Sequence, residues 1–166
     1  VFTGPGTNTY LIGSGDVTVI DPGPALDTHA QAIVDAPGNI TQIIVTHTHL
    51  DHSPCTQLLQ ERLGVPAYGR VATSPQNQDT AFTPTAFLED HQVIESEDFR
   101  LKVIHTPGHA SNHLCFLLES QGMLFSGDHI MNGSTVVIRP PDGNMKAYID
   151  SLKKLKQYRL TAIAPG

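Results

Sequence analysis

The stretch IIVTHTHLDHSP, Ile43 to Pro54, places three histidines and an aspartate within six consecutive residues at the end of an apolar run. The run itself, QIIVT, is continuous and β-rich, the pattern of a buried central strand. Ser53 and Pro54 read as an N-cap and a first-turn proline, opening a helix over CTQLLQERLG that stops at Gly64. The cluster therefore falls where a strand turns into a helix. Residues two apart in an extended chain point to the same side, so His47 and His49 can grip one ion together. The turn at Asp51 and His52 reverses the chain and aims those two side chains elsewhere. Four ligand-type groups on one turn are thus arranged to serve two ions side by side. Burying three imidazoles and a carboxylate without partners is costly, so the cluster reads as a metal site rather than a polar loop.

The surrounding sequence supplies elements to carry such a site. NTYLIGSGDVTVIDPG reads as two strands joined at Gly13 to Gly15, and LDTHAQAIVDAPG as a short helix stopped by Pro37 and Gly38. VPAYG, RLKVIHTPG, HLCFLLES and MLFSGD read as further short strands, and LTAIAPG as a last one. MKAYIDSLKKLKQY is an amphipathic helix with Met145, Tyr148, Ile149, Leu152 and Leu155 on one stripe. Thr73 to Glu89 shows no period and is expected to be a long loop bordering a site. Strands and helices alternate with hairpins mixed in, which predicts an α+β fold of sheet layers covered by helices.

With 166 residues, the chain is long enough for one domain. No apolar stretch approaches membrane-spanning length, and no secretory signal opens the chain. The two cysteines, Cys55 and Cys115, form no disulfide framework and fit a reducing, cytoplasmic compartment. A net charge of −6 disfavours loose electrostatic binding to nucleic acid or anionic membranes. Six of the ten Lys and Arg residues nevertheless lie between Arg139 and Arg159, a run that the solvated side of the last helix accounts for.

Completing ligands are expected at other strand ends. His109 follows Pro107 and Gly108, a turn that exposes the next side chain, and Asp128 directly follows a strand and a glycine. In this order THTHLDH, TPGH and SGD, with IDPG at Ile20 to Gly23, resemble the metallo-β-lactamase fold superfamily over nearly the whole chain. The resemblance implies an αβ/βα four-layer sandwich with a dinuclear site on the sheet edges. It assigns His47, His49 and His109 to a first metal, Asp51 and His52 to a second, and Asp128 to both. Asp21 resembles the family's structural aspartate, which braces the ligand loop. Family members usually carry a further histidine in a form like PGHG, whereas this chain reaches IAPG at Gly166. That predicts a weak second site and a fragment, residues 1–166, lacking the C-terminal end and tail.

The resemblance further implies a hydrolase in which two cations yield hydroxide from a shared water and polarise an ester, thioester or lactone carbonyl. Asp51 would orient the nucleophile and pass its proton to the leaving group. Imidazole-rich ligands make zinc, two ions, the first expectation, with iron and manganese open. GPGTNTYLIG, SGDHIMNGSTVVIRPPDGNM and YIDSLKKL look most like the branch containing glyoxalase II and lactamase-like endoribonucleases. In that branch His113 and Arg139 would contact substrate, and Asn144 would open the last helix. His129 and His105 are expected in supporting positions, and His29 and His91 at the surface. The leading expectation is a small-molecule ester-like substrate. Single-strand RNA is the alternative, disfavoured by the scarcity of cations and of aromatic side chains for stacking bases. A non-catalytic metal-binding domain is the third reading.

Overall fold

The computed structural model describes residues 6–166. Two five-stranded sheets form in succession. The first is ordered β1 (Tyr10–Ile12), β2 (Asp16–Ile20), β3 (Asn39–Ile44), β4 (Ala67–Gly69) and β5 (Ala86–Phe87). It opens with the antiparallel hairpin β1–β2 and continues in parallel pairings, with α1 (Asp27–Val34) and α2 (Cys55–Leu63) as crossovers. The second sheet runs β6 (Val93–Glu95), β7 (Arg100–His105), β8 (Leu114–Leu118) and β9 (Met123–Gly127) as an antiparallel meander. After α3 (Met145–Leu155), β10 (Ala162–Pro165) returns parallel to β9 at the edge.

Three separate apolar cores account for the layering. Ile12, Ile20 and Ile44 of the first sheet meet Val103, Phe116 and Phe125 of the second in the central core. Val19 and Ile43, one residue out of phase, point the other way against Ala30, Ile33 and Leu59 of the two helices. Cys115, Leu117 and Leu124 turn outward from the second sheet onto Leu155 of α3. Helix, sheet, sheet and helix are therefore stacked, the αβ/βα sandwich of an α+β chain. The period-two alternation of LCFLL feeds two cores at once, which is why β8 reads as continuously apolar.

Some local expectations need correction. Ser53 does not cap α2: its hydroxyl donates to Asp79 Oδ2 at 2.8 Å, and Pro54 holds the N-cap position without a side-chain bond. Asn144 does cap α3, accepting from the Ala147 amide at 2.9 Å. The apolar stripe of α3 is covered unevenly, since Leu155 is 2% exposed and Tyr148 and Leu152 are half-buried, while Met145 is 57% and Ile149 44% exposed. The long loop holds the two-residue strand β5, and β6 follows it; neither carries a sequence period. No helix among the described residues is long and apolar enough to cross a membrane.

Candidate metal centre

The ends of strands from both sheets deliver the ligand-type residues to one place. His47 to His52 follow β3, His109 follows β7, and Asp128 follows β9. Gly108 makes the His109 turn possible. Its φ is +150°, and a β carbon there would lie 2.3 Å from the Tyr148 Cα of α3. One ligand atom each from His47, His49, His109 and Asp128 lies within 4.8 Å of all the others.

The second partners of these rings fix their tautomers. Thr46 Oγ1 donates to Asp21 Oδ2 at 2.6 Å, so its remaining contact, with His47 Nδ1 at 3.0 Å, is donated by the imidazole. His109 Nδ1 must likewise donate to the Val137 carbonyl, 2.6 Å away. Nε2 of His47 and Nε2 of His109 are therefore left with lone pairs, and both face His49 Nδ1 at 2.9 Å. A single proton on His49 cannot satisfy both contacts well, whereas a cation among the three nitrogens satisfies all of them. Burial pushes the His47 imidazole well below its ordinary pKa, with His52 adding to the effect, and takes His49 to about 4. Both rings are neutral, as metal ligands must be, at any pH near 7.

A second group lies beside the first. His52 Nε2 is buried without a hydrogen-bond partner and stands 3.5 Å from Asp51 Oδ2 and 3.4 Å from Asp128 Oδ1. Its Nδ1 is held by Asp21 Oδ2 at 2.8 Å. Burial alone would lower the His52 pKa, but Asp21 and then Asp128 outweigh it and carry it up to about 10. The same ion pairing holds the Asp128 carboxyl below its usual range despite its burial. Asp128 spans both groups, since its Oδ2 lies 3.5 Å from His109 Nε2. Asp21 accepts from the Thr46 amide as well, at 2.7 Å, and so braces the ligand loop at both ends. Thr7 Oγ1 donates to Asp51 Oδ2 at 2.6 Å. At Gly166 a β carbon would lie 2.6 Å from Asp128 Oδ1, so β10 delivers the chain against this second group. Nitrogen and carboxylate donors in this mix suit zinc, iron or manganese.

Of the remaining expectations, His113 needs correction. It is fully buried beneath His47, with ring centroids 5.0 Å apart, its Nδ1 lies 2.9 Å from Thr106 Oγ1, and it does not line the cavity. Arg139 does line that cavity, which measures about 360 Å³ and opens onto His109, Asp51 and Asp128 between Leu50, Met131 and Val137. His129 is buried against Tyr148 with neither ring nitrogen paired. His105 Nε2 contacts the Ser111 carbonyl, His29 contacts Thr9, and His91 is exposed. Thr7, Thr46 and the Val137 carbonyl were not anticipated from sequence, because hydroxyl and main-chain partners leave no distinctive residue pattern.

Comparison with known proteins agrees with this geometry. A family model described as the metallo-beta-lactamase superfamily matches residues 2–166. An atrochrysone carboxyl ACP thioesterase of Cryptosporiopsis sp. (strain 8999) is 28% identical over 165 residues, 95% of this chain and 47% of that protein. A beta-lactamase-like protein 2 homolog of Caenorhabditis elegans is 30% identical over 175 residues, 99% of this chain and 57% of that protein. The chain thus spans about half the length of the curated relatives it matches. Among solved structures, TTHA1623 in a di-iron-bound form superposes with a TM-score of 0.78 at 25% identity, covering 96% of this chain and 86% of that one. ETHE1 from Myxococcus xanthus gives 0.75 at 25% identity, covering 96% and 70%. With the sandwich, the converging nitrogens and a family match along nearly its full length, the chain belongs to the metallo-beta-lactamase superfamily.

Proposed function

We propose that this chain is the metal-binding part of a hydrolase that cleaves a thioester of a small apolar acyl group. One observation carries the reading: three imidazole nitrogens converge beside a shared carboxylate at the mouth of an apolar-walled cavity. Relatives named as ACP thioesterases support the thioester over the ester and lactone. His47, His49 and His109 would hold one ion, Asp51 and His52 a second, and Asp128 both. Zinc suits the ligands, and iron is the alternative, since a structural neighbour is di-iron-bound. When bound, the ions would supply Lewis acidity, lowering the pKa of water and polarising a carbonyl.

The protein's own groups do the rest. Asp51 has a side chain one-third exposed and an Oδ2 fixed by Thr7, so it can orient a water against the carbonyl carbon. Asp51 would take the proton that the water loses as its oxygen bonds to the carbonyl carbon, and pass it to the departing sulfur as the C–S bond breaks, leaving a carboxylic acid and a thiol. Leu50, Met131 and Val137 exclude bulk water from the acyl group, and Arg139 stands on the cavity wall to meet an anionic part of the substrate. The two buried free thiols fit a reducing, cytoplasmic setting.

The test assays full-length protein against acyl thioesters and a single-stranded RNA oligonucleotide side by side, with His47→Ala as the control. Thioester hydrolysis lost in His47→Ala supports the proposal. RNA cleavage lost in that variant, with no thioesterase activity, replaces it.

A further inference from the structure

The three converging nitrogens come from two chain segments sixty residues apart, so something must set their separation. Part of the answer is the Val137 carbonyl, which holds His109 Nδ1. Val137 lies in the long connection between β9 and α3, which has no strand or helix of its own to hold it. What fastens it is Asp142. Its Oδ1 accepts from the Ser111 hydroxyl at 2.6 Å, and its Oδ2 from the Ser111 amide at 2.9 Å and Gln78 Nε2 at 3.2 Å.

These partners lead to both ligand segments. Ser111 is two residues beyond His109. Gln78 Oε1 accepts from Thr48 Oγ1 at 2.6 Å, and Thr48 lies between His47 and His49. Asn112 Nδ2 donates back to Thr48 Oγ1 at 2.8 Å. Thr48, Gln78 and Asn112 are all buried, so the relay is shielded from competing water. A tight turn aims the carboxylate: the Gly143 amide donates to the Arg139 carbonyl and the Asn144 amide to the Gly108 carbonyl, both at 2.8 Å. A β carbon on Gly143 would lie 2.5 Å from the Arg139 amide nitrogen, so the turn admits no larger residue without shifting.

We infer that Asp142 is a positioning residue for His109: it ties the Val137 loop and the His109 turn to the His47–His49 segment. It acts through Ser111, Gln78 and the Val137 carbonyl rather than by touching an ion. The inference rests on the metal-centre reading above but not on the choice of substrate.

The test is Co²⁺ titration of the purified protein, wild type against Asp142→Ala and Asp142→Asn, following affinity by calorimetry and site geometry by the cobalt d–d absorption. Loss of a residue that orients a metal ligand is expected to weaken the first Co²⁺ by about 10- to 100-fold and to change the band shape. Asp142→Asn keeps the shape and one acceptor, so it is expected to fall between, and it carries the test if Asp142→Ala fails to fold. Unchanged affinity and spectrum in the folded variants overturn the inference. If only KM for a thioester then rises, Asp142 is a substrate contact; if only the thermal midpoint falls, it is a structural anchor. Wild-type protein that binds Co²⁺ but hydrolyses no thioester would defeat the proposed activity and leave this inference standing.

Discussion

Titrating the metal-free protein with Zn²⁺ between pH 6 and pH 9 separates the two ligand groups. At the first group, burial takes His49 to about 4 and holds His47 well below the ordinary histidine value, so neither carries a proton across that range. Entry of the first ion therefore displaces no proton from these rings, and their protonation adds no pH slope to its affinity. The second group behaves differently. His52 titrates at about 10, three units above pH 7, and its proton must leave before Nε2 can take a cation. That competition is worth about 4 kcal/mol at pH 7, or roughly a thousandfold in affinity. The second ion should bind about tenfold more tightly for each pH unit gained up to pH 9, releasing close to one proton from His52. Calorimetry in two buffers of different ionisation enthalpy counts that proton directly. Asp21→Asn removes the carboxylate that most favours the imidazolium and should flatten the slope. Ionisation of a metal-bound water only adds to the pH dependence. A second-ion affinity that stays flat from pH 6 to pH 9 would therefore refute the reasoning.

Two further outcomes follow from the same coordinates. Metal-free protein should lose stability as pH falls below about 6.5, the ordinary histidine value, through about 4, because burial, with His109 adding, depresses the His129 pKa to about 4. His129 alone accounts for about 3 kcal/mol of that loss, and its unpaired ring nitrogens mean that His129→Leu should hold its stability at pH 7 while showing a shallower acid slope in urea midpoints at pH 7 and pH 4.5. Arg139→Ala should raise KM by about tenfold for thioesters that carry a carboxylate or phosphate, leaving kcat and neutral substrates unchanged; equal losses on charged and neutral substrates would remove Arg139 from substrate recognition.

The layered fold is legible in the sequence where a residue pattern answers to one local period. QIIVT and LCFLL declare buried strands because both of their faces are covered, and Ile43 and Ile44 do fall into different cores. Asn144 declares a helix start because its side chain is the cap. Ser53 looks the same in sequence, yet Asp79 lies within reach and takes its hydroxyl. The two-residue strand β5 exists only because β4 is there to pair with it, in a register of Tyr68 with Ala86 and Gly69 with Phe87. No local pattern encodes such a pairing. The α3 stripe misleads in the opposite sense. Its period is helical throughout, but only part of the stripe is covered: Tyr148 packs on His129 and Leu155 is buried, while Met145 and Ile149 remain outside.

The candidate site divides along the same line. Its ligand-type residues are legible because the chemistry needs particular side chains, and a strand end followed by a turn supplies the geometry. His113 shows how spacing alone fails: four residues after His109 suggests a shared face, but the chain turns between them and, with β8 starting at Leu114, leaves the His113 ring fully buried. The groups that orient the ligands are the Thr46 hydroxyl, the Val137 carbonyl and the Asp142 carboxylate. In sequence these look like an ordinary threonine, an apolar loop residue and a turn aspartate. Their roles follow from which sheet edge they reach, and that is set by the packing of both sheets about Ile44, Phe116 and Phe125. The first sheet contributes His47, His49 and His52, while the second contributes His109 and Asp128. Any cation held among them joins the two halves of the sandwich, so ion affinity and inter-sheet packing act on one equilibrium.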